Sequence, residues 1–557
     1  MVSTPAQETT PPLTTDSRIA VLEEELSKVT AERDRLRDAY KKLQLELLLL
    51  RRRIFVAKAE RVDTAQLEFE FAQKLAELDK LAGLDKKPSD EKSKKKKPRR
   101  KPTGRRNLRL ADLEEERVEL TDPLFEELVA QGKAERIGVE ESSKLAHKRG
   151  GMRRLVVAKV KYAAKNSLGT SEIVTAAMPK ETFPGCLAAP SMLAHIAVMK
   201  HCDGMPLYRL EDRFERDGFR IDRGTMCRWL EDMGATFGAT VVAAAREEAM
   251  RTAFCLATDA KGVLIQPEPR PDAKRQPCRR GHFFVIVADR DHIFFEYTPK
   301  ETSAVVAEMF KNYSGYIQAD AKSVYDILFR EPLEKPPDEE AIRKEIGCWS
   351  HARRKYWEAA VAKSVIGREG LARIGRIFDI DDSLKGKPPD EIKLLRDKHL
   401  KPHLEGLFVW AEEQYELVHG QRGLPRSALG YTVRQKDALM RVLEDGRLKL
   451  ENNRSERALR KIAIGRKAWL FCGSDDHAEA AGHLFTMIAS ARLHHLDPEA
   501  YIRDMIRILG QWPNDRYLEL APKHWRATRA RLDQAELEQE IGHLTIPPPF
   551  QIEDHPA

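Results

Sequence analysis

The sequence predicts an α/β protein whose core carries a large helical insertion and follows an N-terminal coiled coil and a helical region. Three observations support this fold class. An apolar seven-residue repeat runs from Ile19 to Leu50. Apolar runs of strand length alternate with a helical pattern between residues 254 and 320, and almost all of the sequence after Trp349 has helical character.

Length and composition limit the class of protein. A chain of 557 residues has room for two or three packed domains plus extended segments. No apolar run approaches the ~20 residues of a membrane-spanning helix, so we expect no membrane partner. The first fifteen residues are rich in Thr and Pro without an apolar stretch, which predicts no signal peptide.

The seven cysteines stand singly, without a Cys-x-x-Cys pair. This pattern is typical of reduced thiols in a cytoplasm rather than of a disulfide framework or a structural zinc site. We therefore expect a cytoplasmic protein that needs no zinc.

The N-terminal region is predicted to hold a disordered segment, residues 1–17, and a coiled-coil or helical oligomerisation segment, residues 18–83. One seam of the repeat is apolar at five successive positions: Leu22, Val29, Leu36, Leu43 and Leu50. Such a seam favours self-association into a homo-oligomer. The alternative is one long amphipathic helix that packs on its own protein.

A basic linker is predicted over residues 84–108. Residues 85–106 contain twelve Lys/Arg and three Asp/Glu, while the whole chain has a net charge of +8. Dense positive charge is typical of an electrostatic contact with nucleic acid, and a solvated linker is the alternative. The candidate DNA contacts in this segment are Lys94, Lys95, Lys96, Lys97, Arg99, Arg100 and Lys101.

Two small regions follow the linker. Residues 109–180 mix short apolar stretches with charges and are predicted to form a small β-rich module. Residues 181–245 are predicted to be helical, with Ser191 and Asp222 as candidate N-caps. Two helices joined by a short Gly-containing turn are similar to a helix-turn-helix, which predicts a helical DNA-binding region.

The predicted core spans residues 250–480. One apolar strand ends at Asp259, a hairpin turns at Asp289-Arg290-Asp291, a helix lies around 302–311, and a second strand ends at Asp320. This is the layout of a ribonuclease-H-like core. A helical insertion is predicted at about 330–445, and residues 481–557 are predicted to form a C-terminal helical region and tail.

Three acids are the candidate catalytic residues and metal ligands. Neighbouring strand ends bring Asp259 and Asp320 together, which is costly unless a cation lies between them. Glu456, on a later helix, is the preferred third acid, and Glu451 is the alternative if Asn452-Asn453 caps that helix. Oxygen ligands suit Mg²⁺ or Mn²⁺, and two ions about 3.5–4 Å apart support in-line displacement at phosphorus.

Ordered motifs carry a resemblance to a known family. They are Ala188-Ala189-Pro190-Ser191, Thr258-Asp259-Ala260, Gln318-Ala319-Asp320, Cys348-Trp349-Ser350-His351, Asn452-Asn453-Arg454-Ser455-Glu456-Arg457 and Gly465-Arg466-Lys467-Ala468-Trp469. In these stretches the chain resembles transposases of the insertion-sequence-66 family. The resemblance covers residues 19 to about 525.

The resemblance implies a DDE-type transposase that cleaves and transfers DNA strands of a mobile element in the bacterial cytoplasm, associated with the nucleoid. It implies transposon ends and target DNA as partners, and accessory proteins of the same element as further candidates. His351 and Asn453 are candidate helpers, with an ordinary structural histidine as the alternative for His351. The further candidate DNA contacts are Arg353, Arg354, Arg454, Arg457, Arg460, Arg466 and Lys467.

One departure bears on activity. Family members usually carry a cysteine-rich zinc-binding module after the basic linker, whereas residues 109–165 contain no cysteine. A catalytically inactive DNA-binding or assembly protein is therefore an alternative function. A host nuclease that uses the same core without strand transfer is another.

Overall fold

A computed structural model describes Lys28 and residues 114–148, 151–165, 171–267, 276–330 and 343–549. The predicted disordered segment and the basic linker with its candidate contacts Lys94–Lys97 lie outside the described residues. Apart from Lys28, so does the predicted coiled coil. In the described part, no helix is long and apolar enough to cross a membrane.

The chain divides into two units. One combines residues 1–102 with Tyr356–Glu369, and the other contains Thr103–Lys355 and Gly370–Ala557. Within 356–369, Lys363 has a φ of 64°, and the Ser364 hydroxyl accepts a hydrogen bond from Gly367 N over 3.1 Å. This turn separates two successive helices.

A four-stranded sheet lies after the predicted linker. Its strands are β1 (Glu114–Leu120), β2 (Ala134–Lys148), β3 (Gly151–Lys165) and β4 (Ser171–Thr175), with helix α1 (Pro123–Ala130) between the first two. The long β3 pairs with the other three strands, in parallel with β1 and antiparallel to β2 and β4. Asp122 caps α1 by accepting hydrogen bonds from two backbone N–H groups.

Four helices follow: α2 (Pro190–His201), α3 (Leu207–Arg216), α4 (Arg223–Phe237) and, after a π-helical segment at Gly238–Val242, α5 (Ala243–Thr252). Asp222 caps α4 as predicted. The predicted capping role of Ser191 is wrong, because Ala189 occupies the N-cap position of α2. The Ser191 hydroxyl instead accepts a hydrogen bond from His147 N over 2.9 Å, which ties β2 to α2.

A five-stranded mixed sheet carries the candidate acids. Its strands are β5 (Cys255–Ile265), β6 (Arg279–Ala288), β7 (His292–Thr298), β8 (Gly315–Gln318) and β9 (Arg343–Ile346), with α6 (Ser303–Met309) and α7 (Ile327–Arg330) in the connections. The strand order is β7-β6-β5-β8-β9. The β6–β7 hairpin confirms the predicted turn, and β8 runs parallel to β5 and β9.

One prediction about this sheet is wrong: β5 does not end at Asp259. The strand continues to Ile265 because β6 pairs with it over that whole length, out to Arg279. The shorter β8 pairs only with the first part of β5, up to Ala257. Asp259 thus lies in mid-strand, just beyond the point where the pairing with β8 stops.

Both faces of the five-stranded sheet are buried. Along β6, Phe284 and Ile286 pack into a core formed with α2, α4 and the C-terminal helices. Phe283 and Val285, which point to the opposite face, pack against Leu459 and Phe485 of two later helices. This arrangement explains why β6 is a continuous apolar run rather than an alternating one.

The segment between β9 and the helix that carries Glu456 is helical. It contains α8 (Trp349–Val361), α9 (Val365–Ser383), α10 (Pro389–Leu395), α11 (Lys401–Leu417), α12 (Leu424–Arg434) and α13 (Lys436–Met440). A π-helical segment, Arg396–Leu400, joins α10 to α11. The Arg396 guanidinium, 1% exposed, bonds to Asp381 Oδ1 over 2.8 Å and to Val442 O over 3.0 Å. A buried charge with these partners holds distant parts of the segment together.

The remaining helices are α14 (Asn453–Trp469), α15 (Asp475–Leu493), α16 (Pro498–Ile508), α17 (Pro522–Arg529) and α18 (Gln534–Glu538). Helix α15 covers the edge strand β7. Its Thr486 and Ser490 hydroxyls accept hydrogen bonds from Phe295 N and Ile293 N over 2.8 and 3.0 Å. A Cβ at Gly482 would lie 2.6 Å from Phe295 O, so this close approach requires glycine. The edge is therefore satisfied by side chains and closed to another strand.

Candidate active site

Asp259 lies within β5, and Asp320 lies just after the neighbouring parallel strand β8. Ala257 of β5 is paired with Gln318 of β8, and each acid comes two residues after its member of this pair. The two acids are close enough for the charge of Asp320 to act on the Asp259 carboxyl. The Gln318 side chain is buried and donates to Lys449 O over 2.8 Å, which anchors the end of β8 beneath Asp320.

Glu456 and His351 complete the group. His351 Nε2 lies 3.8 Å from Asp320 Oδ2 and 3.7 Å from Glu456 Oε1, so one imidazole nitrogen is close to both carboxylates. Arg354, one turn further along α8, brings its guanidinium within 3.6 Å of the same Glu456 oxygen. Two of the predicted acids therefore meet at the predicted helper His351, and the third, Asp259, is close enough for Asp320 and His351 to influence its pKa.

Helix α14 is attached to β5 at the residue next to Asp259. Asn452, at the N-cap position of α14, donates from Nδ2 to Thr258 O over 2.7 Å, and its side chain is 1% exposed. Ser455, one turn along α14, donates to Asn452 O over 2.9 Å. These bonds fix the position of Glu456 relative to β5.

Helix α8 is attached to the same place. Trp349 N donates to Leu450 O over 2.8 Å, and the buried Cys348 thiol accepts from Asn452 N over 3.4 Å. The indole N–H of Trp349 donates to Leu439 O over 3.1 Å. The Cys-Trp-Ser-His motif is therefore a structural joint that brings His351 to the two carboxylates.

Electrostatics at Asp259 favour a bound cation. Burial raises the pKa of its carboxyl above the usual range, and the negative charge of Asp320 raises it further. A hydrogen bond from Ala260 N, over 2.7 Å, and the positive charges of Lys322 and His351 act in the opposite direction. A half-buried carboxylate beside a second one becomes stable as an anion when a cation joins them.

The residues fit a divalent metal ion of the hard class. Glu456 Oε1 is buried, and no atom in the described part of the chain lies within hydrogen-bond distance of it. Its neighbours His351 and Arg354 stay 3.7 and 3.6 Å away, beyond hydrogen-bond distance, so this oxygen has a free position for a ligand. Three carboxylates are the oxygen donors that Mg²⁺ and Mn²⁺ prefer.

Glu451, the alternative third acid, has a different environment. Its carboxylate accepts a hydrogen bond from the Ser350 hydroxyl over 3.1 Å, so it has a partner of its own. The alternative cap is right in part, because Asn452 occupies the N-cap position, but its side chain bonds to β5 rather than to the helix backbone. The geometry favours Glu456 as the third acid.

The candidate DNA contacts divide into two groups. Arg454 and Arg466 each donate to a backbone carbonyl, of Asp289 over 2.8 Å and of Gly262 over 2.7 Å, so their guanidinium groups support the fold. The second group, within the described residues, has exposed side chains, as Arg454 also does, and consists of Arg353, Arg354, Arg457, Arg460 and Lys467. Arg457 donates within its own helix, to Asn453 O over 3.1 Å, and Arg353 lies over the Phe378 ring at 5.6 Å.

Two residues of the site were not among the predicted site residues. The predicted helper Asn453 is half-buried, and the amide that contacts β5 belongs to its neighbour Asn452. Lys322 lies two residues after Asp320, and its ammonium group is 3.3 Å from Glu301. Lys322 could have been predicted from the sequence, because it lies two residues after a candidate acid. The role of Asn452 could not, because its hydrogen-bond partner is 194 residues away.

Comparison with known proteins supplies the identity. The sequence profile described as "Transposase IS66 family" matches residues 185–480, which include all three acids and His351. The chain is 24% identical over 535 residues to the uncharacterized protein y4qI of Sinorhizobium fredii, covering 92% of this chain and 94% of that protein. It is also 24% identical over 514 residues to the uncharacterized protein y4hP of the same organism, covering 88% and 89%. Because the family profile covers more than half of its length, the chain belongs to the IS66 family of transposases.

Proposed function

We propose that this protein is a DDE-type transposase that cuts and joins DNA strands at a divalent-metal site formed by Asp259, Asp320 and Glu456. The observation that carries the proposal is the approach of Asp320 and Glu456 to His351 Nε2, with Asp259 close enough for the charge of Asp320 to act on its carboxyl. Family membership supports a transposase function.

We propose that the five-stranded sheet is the sheet of a ribonuclease-H-like core. Three features support this: an antiparallel unit β5-β6-β7, a parallel strand β8 beside β5, and acids on those two adjacent strands. The helical segment between β9 and α14 is then the insertion that separates the second acid from the third. The domain boundaries given for the sequence remain part of this proposal.

When bound, a pair of Mg²⁺ or Mn²⁺ ions would activate the attacking oxygen and stabilise the departing one. Asp259, Asp320 and Glu456 would hold the ions. Asn452 keeps Glu456 at a fixed distance from β5, and the His351 imidazole lies between Asp320 and Glu456. Glu456 Oε1, which is buried and makes no hydrogen bond in the described part of the chain, is the atom best prepared for coordination.

DNA is the proposed substrate. The Arg354 side chain is 51% exposed and lies next to Glu456, so it can reach a phosphate whose neighbouring bond is cut. Arg457 and Arg460, exposed on α14, extend the positive charge along the same helix. The basic linker and the self-associating N-terminal segment are proposed to add non-specific affinity and to pair two DNA ends.

A strand-transfer assay tests the function. The full chain is incubated with a labelled duplex that contains one end of its own element, a supercoiled target plasmid, and Mg²⁺ or Mn²⁺. We expect 3′-end cleavage and a joined product with the wild-type chain. Asp320→Asn should abolish both products by at least about 10³-fold, because it removes a charged ligand while preserving size.

Glu451→Gln is the matched control for Glu456→Gln. Both change one carboxylate to an amide within one short segment, yet only Glu456 belongs to the converging trio. We expect the first variant to retain joining and the second to lose it. Cleavage without joining by the wild-type chain would indicate a nuclease, and DNA binding without cleavage would indicate an inactive assembly protein. Either result would reject the proposal.

A further inference from the structure

A second group of metal-ligating side chains lies outside the proposed active site. It consists of His147 at the end of β2, His195 in α2 and Glu499 in the first turn of α16. One ligand atom from each lies within 4.8 Å of the other two. The three residues come from remote parts of the sequence, and His147 and Glu499 fall outside the stretch that matches the family profile.

The distances suit a transition-metal ion. His147 Nδ1 and His195 Nδ1 lie 3.3 Å and 3.1 Å from the same carboxylate oxygen, Glu499 Oε1. Two atoms each about 2.0–2.1 Å from one tetrahedral ion are roughly 3.3–3.4 Å apart. Replacing the hydrogen bonds with coordination to one ion therefore needs little movement of Oε1 relative to either nitrogen.

The backbone around His147 is held firmly. His147 N donates to Ser191 Oγ over 2.9 Å, and the preceding residues are bonded to the start of α2 through Leu145 N to Leu187 O and Ala189 N to Leu145 O, each over 2.7 Å. The two imidazoles consequently overlap, with ring centroids 3.5 Å apart and planes inclined by 15°. The backbone positions are thus fixed, and only the side chains have to turn for both rings to face an ion.

The charge environment also fits a cation. The Glu499 carboxylate is flanked by two imidazoles, those of His147 and His195, so two nitrogen donors and one oxygen donor face one another. By contrast, the other carboxylate flanked by two histidines, Glu248, has the Lys523 ammonium group 3.2 Å away. That lysine occupies the place of a cation.

We propose that His147, His195 and Glu499 form a binding site for one Zn²⁺ ion that joins β2, α2 and α16. Two imidazole nitrogens and one carboxylate are a donor set that zinc accepts, and the fourth position is left to water. Solvent reaches the site through the Glu499 side chain, which is 37% exposed. Entry of the ion requires the stacked rings to rotate so that each Nδ1 lone pair points to it.

This site departs from the expectation of a zinc-free protein. That expectation rested on the cysteines, and the present ligands include none. The proposal is independent of catalysis, because no residue of the trio takes part in it. The first four-stranded sheet would be locked to the helical region by the ion.

Zinc titration tests the proposal. Metal-free full-length chain is titrated with Zn²⁺ against a chromogenic chelator, in an Asp320→Asn/Glu456→Gln background so that the candidate active site does not contribute. We expect one tight equivalent of zinc, and a higher unfolding temperature when it is bound. Glu499→Gln and His147→Asn should each weaken binding by more than ~100-fold, since loss of outer-shell partners alone costs 10- to 100-fold.

His524→Asn is the matched control, because it removes a histidine from the Glu248 group instead. It should leave zinc affinity unchanged. The unfolding temperature of each variant, measured with a chelator present, shows whether the fold itself is damaged. If His147→Asn does not fold, Glu499→Gln is the decisive variant, because Glu499 is partly exposed. Unchanged zinc binding in Glu499→Gln, or no tight equivalent in the double-variant background, would overturn the proposal and show a proton-sharing triad only. Strand transfer is not the readout, so this failure is distinct from failure of the proposed function.

Discussion

Asn452 Nδ2 donates a hydrogen bond to Thr258 O over 2.7 Å, which links the residue before helix α14 to the residue before Asp259. Both partners are buried, with Asn452 1% and Thr258 0% exposed. Asp259 is the residue after Thr258, and Glu456 lies one helical turn after Asn452. Two of the three candidate metal ligands are thus close to this one buried hydrogen bond. The spacing between Asp259 and Glu456 depends on it.

Asn452→Ala should weaken both the fold and the reaction. The substitution leaves Thr258 O buried without its donor, which costs about 1–3 kcal/mol in the free energy of unfolding. Because the position of Glu456 is also released, we expect strand transfer to fall more than stability alone explains, by roughly 10²-fold. Chemical denaturation and the joining assay, both below the unfolding temperature, measure the two effects.

Asn453→Ala is the control for this variant. Asn453 is half-buried, and its recorded bond, from Arg457 Nε to the backbone carbonyl over 3.1 Å, survives the change. It should keep near-normal stability and activity. Equal losses in the two variants would mean that the bond to Thr258 has no special role.

His351→Asn should raise the metal concentration needed for activity. His351 Nε2 lies near both Asp320 and Glu456 without being within hydrogen-bond distance of either, so we expect it to position the two carboxylates for the metal rather than to react. Removing a group that orients metal ligands costs about 10- to 100-fold in metal affinity. We expect the Mn²⁺ concentration for half-maximal joining to rise by that factor, with activity largely restored at saturating metal.

Ser350→Ala, on the same turn of α8, is the control, since Ser350 contacts Glu451 rather than the trio. Its metal requirement should be unchanged. If excess Mn²⁺ does not restore His351→Asn, the histidine takes a direct part in the reaction and is not a positioning residue.

Sequence patterns predicted the features that depend on short-range signals. The β6–β7 turn at Asp289–Asp291 and the Asp222 cap are fixed by residues within a few positions, and both are confirmed. The strand and helix patterns predicted Asp259, Asp320 and Glu456, and the resemblance added His351. The structure brings His351 close to Asp320 and Glu456. Their proposed roles remain to be measured.

Long-range pairing determined what the sequence did not reveal. The extent of β5 beyond Asp259 depends on how far β6 follows it, and no pattern within β5 reports that length. Ser191 has the residue type and position of a helix cap, yet its hydroxyl accepts a hydrogen bond from His147 N of strand β2. The group of His147, His195 and Glu499 spans more than 350 positions and has no local signature.

Glu248 provides a pH-dependent contribution to stability. Its side chain is 2% exposed and lies 2.8 Å from His292 Nε2, 3.0 Å from His524 Nε2 and 3.2 Å from Lys523 Nζ. Burial opposes its ionisation, but the hydrogen bonds from the two histidines prevail and hold the pKa of Glu248 far below its ordinary value. A carboxyl with a depressed folded pKa stabilises the protein above its unfolded pKa, about 4.3, and that contribution is lost as the pH falls below it.

Glu248→Gln should therefore lower the free energy of unfolding by about 3 kcal/mol at pH 7. The difference from the wild-type chain should shrink as the pH falls below about 4, because the Glu248 carboxyl then takes up a proton in the unfolded chain while it stays ionised in the folded one. Urea denaturation at a series of pH values measures it. Glu247→Gln, an exposed neighbour on α5, should show neither effect. A pH-independent deficit in Glu248→Gln would indicate that packing, rather than charge, is lost.

Arg354 and Arg353 should differ in their contribution to DNA binding, although they are adjacent and both exposed. The Arg354 guanidinium is 3.6 Å from Glu456, whereas the Arg353 guanidinium lies over the Phe378 ring. Only the first is directed to the place where a reacting phosphate must lie.

Arg354→Ala should reduce the slope of log affinity against log salt concentration by about 1, the amount for one lost phosphate contact, and Arg353→Ala should reduce it less. Fluorescence anisotropy with a labelled duplex over a range of NaCl concentrations gives both slopes. Arg354→Lys keeps the charge and should keep the slope, so a slope that falls in the lysine variant as well would show that Arg354 acts through Glu456 rather than on DNA.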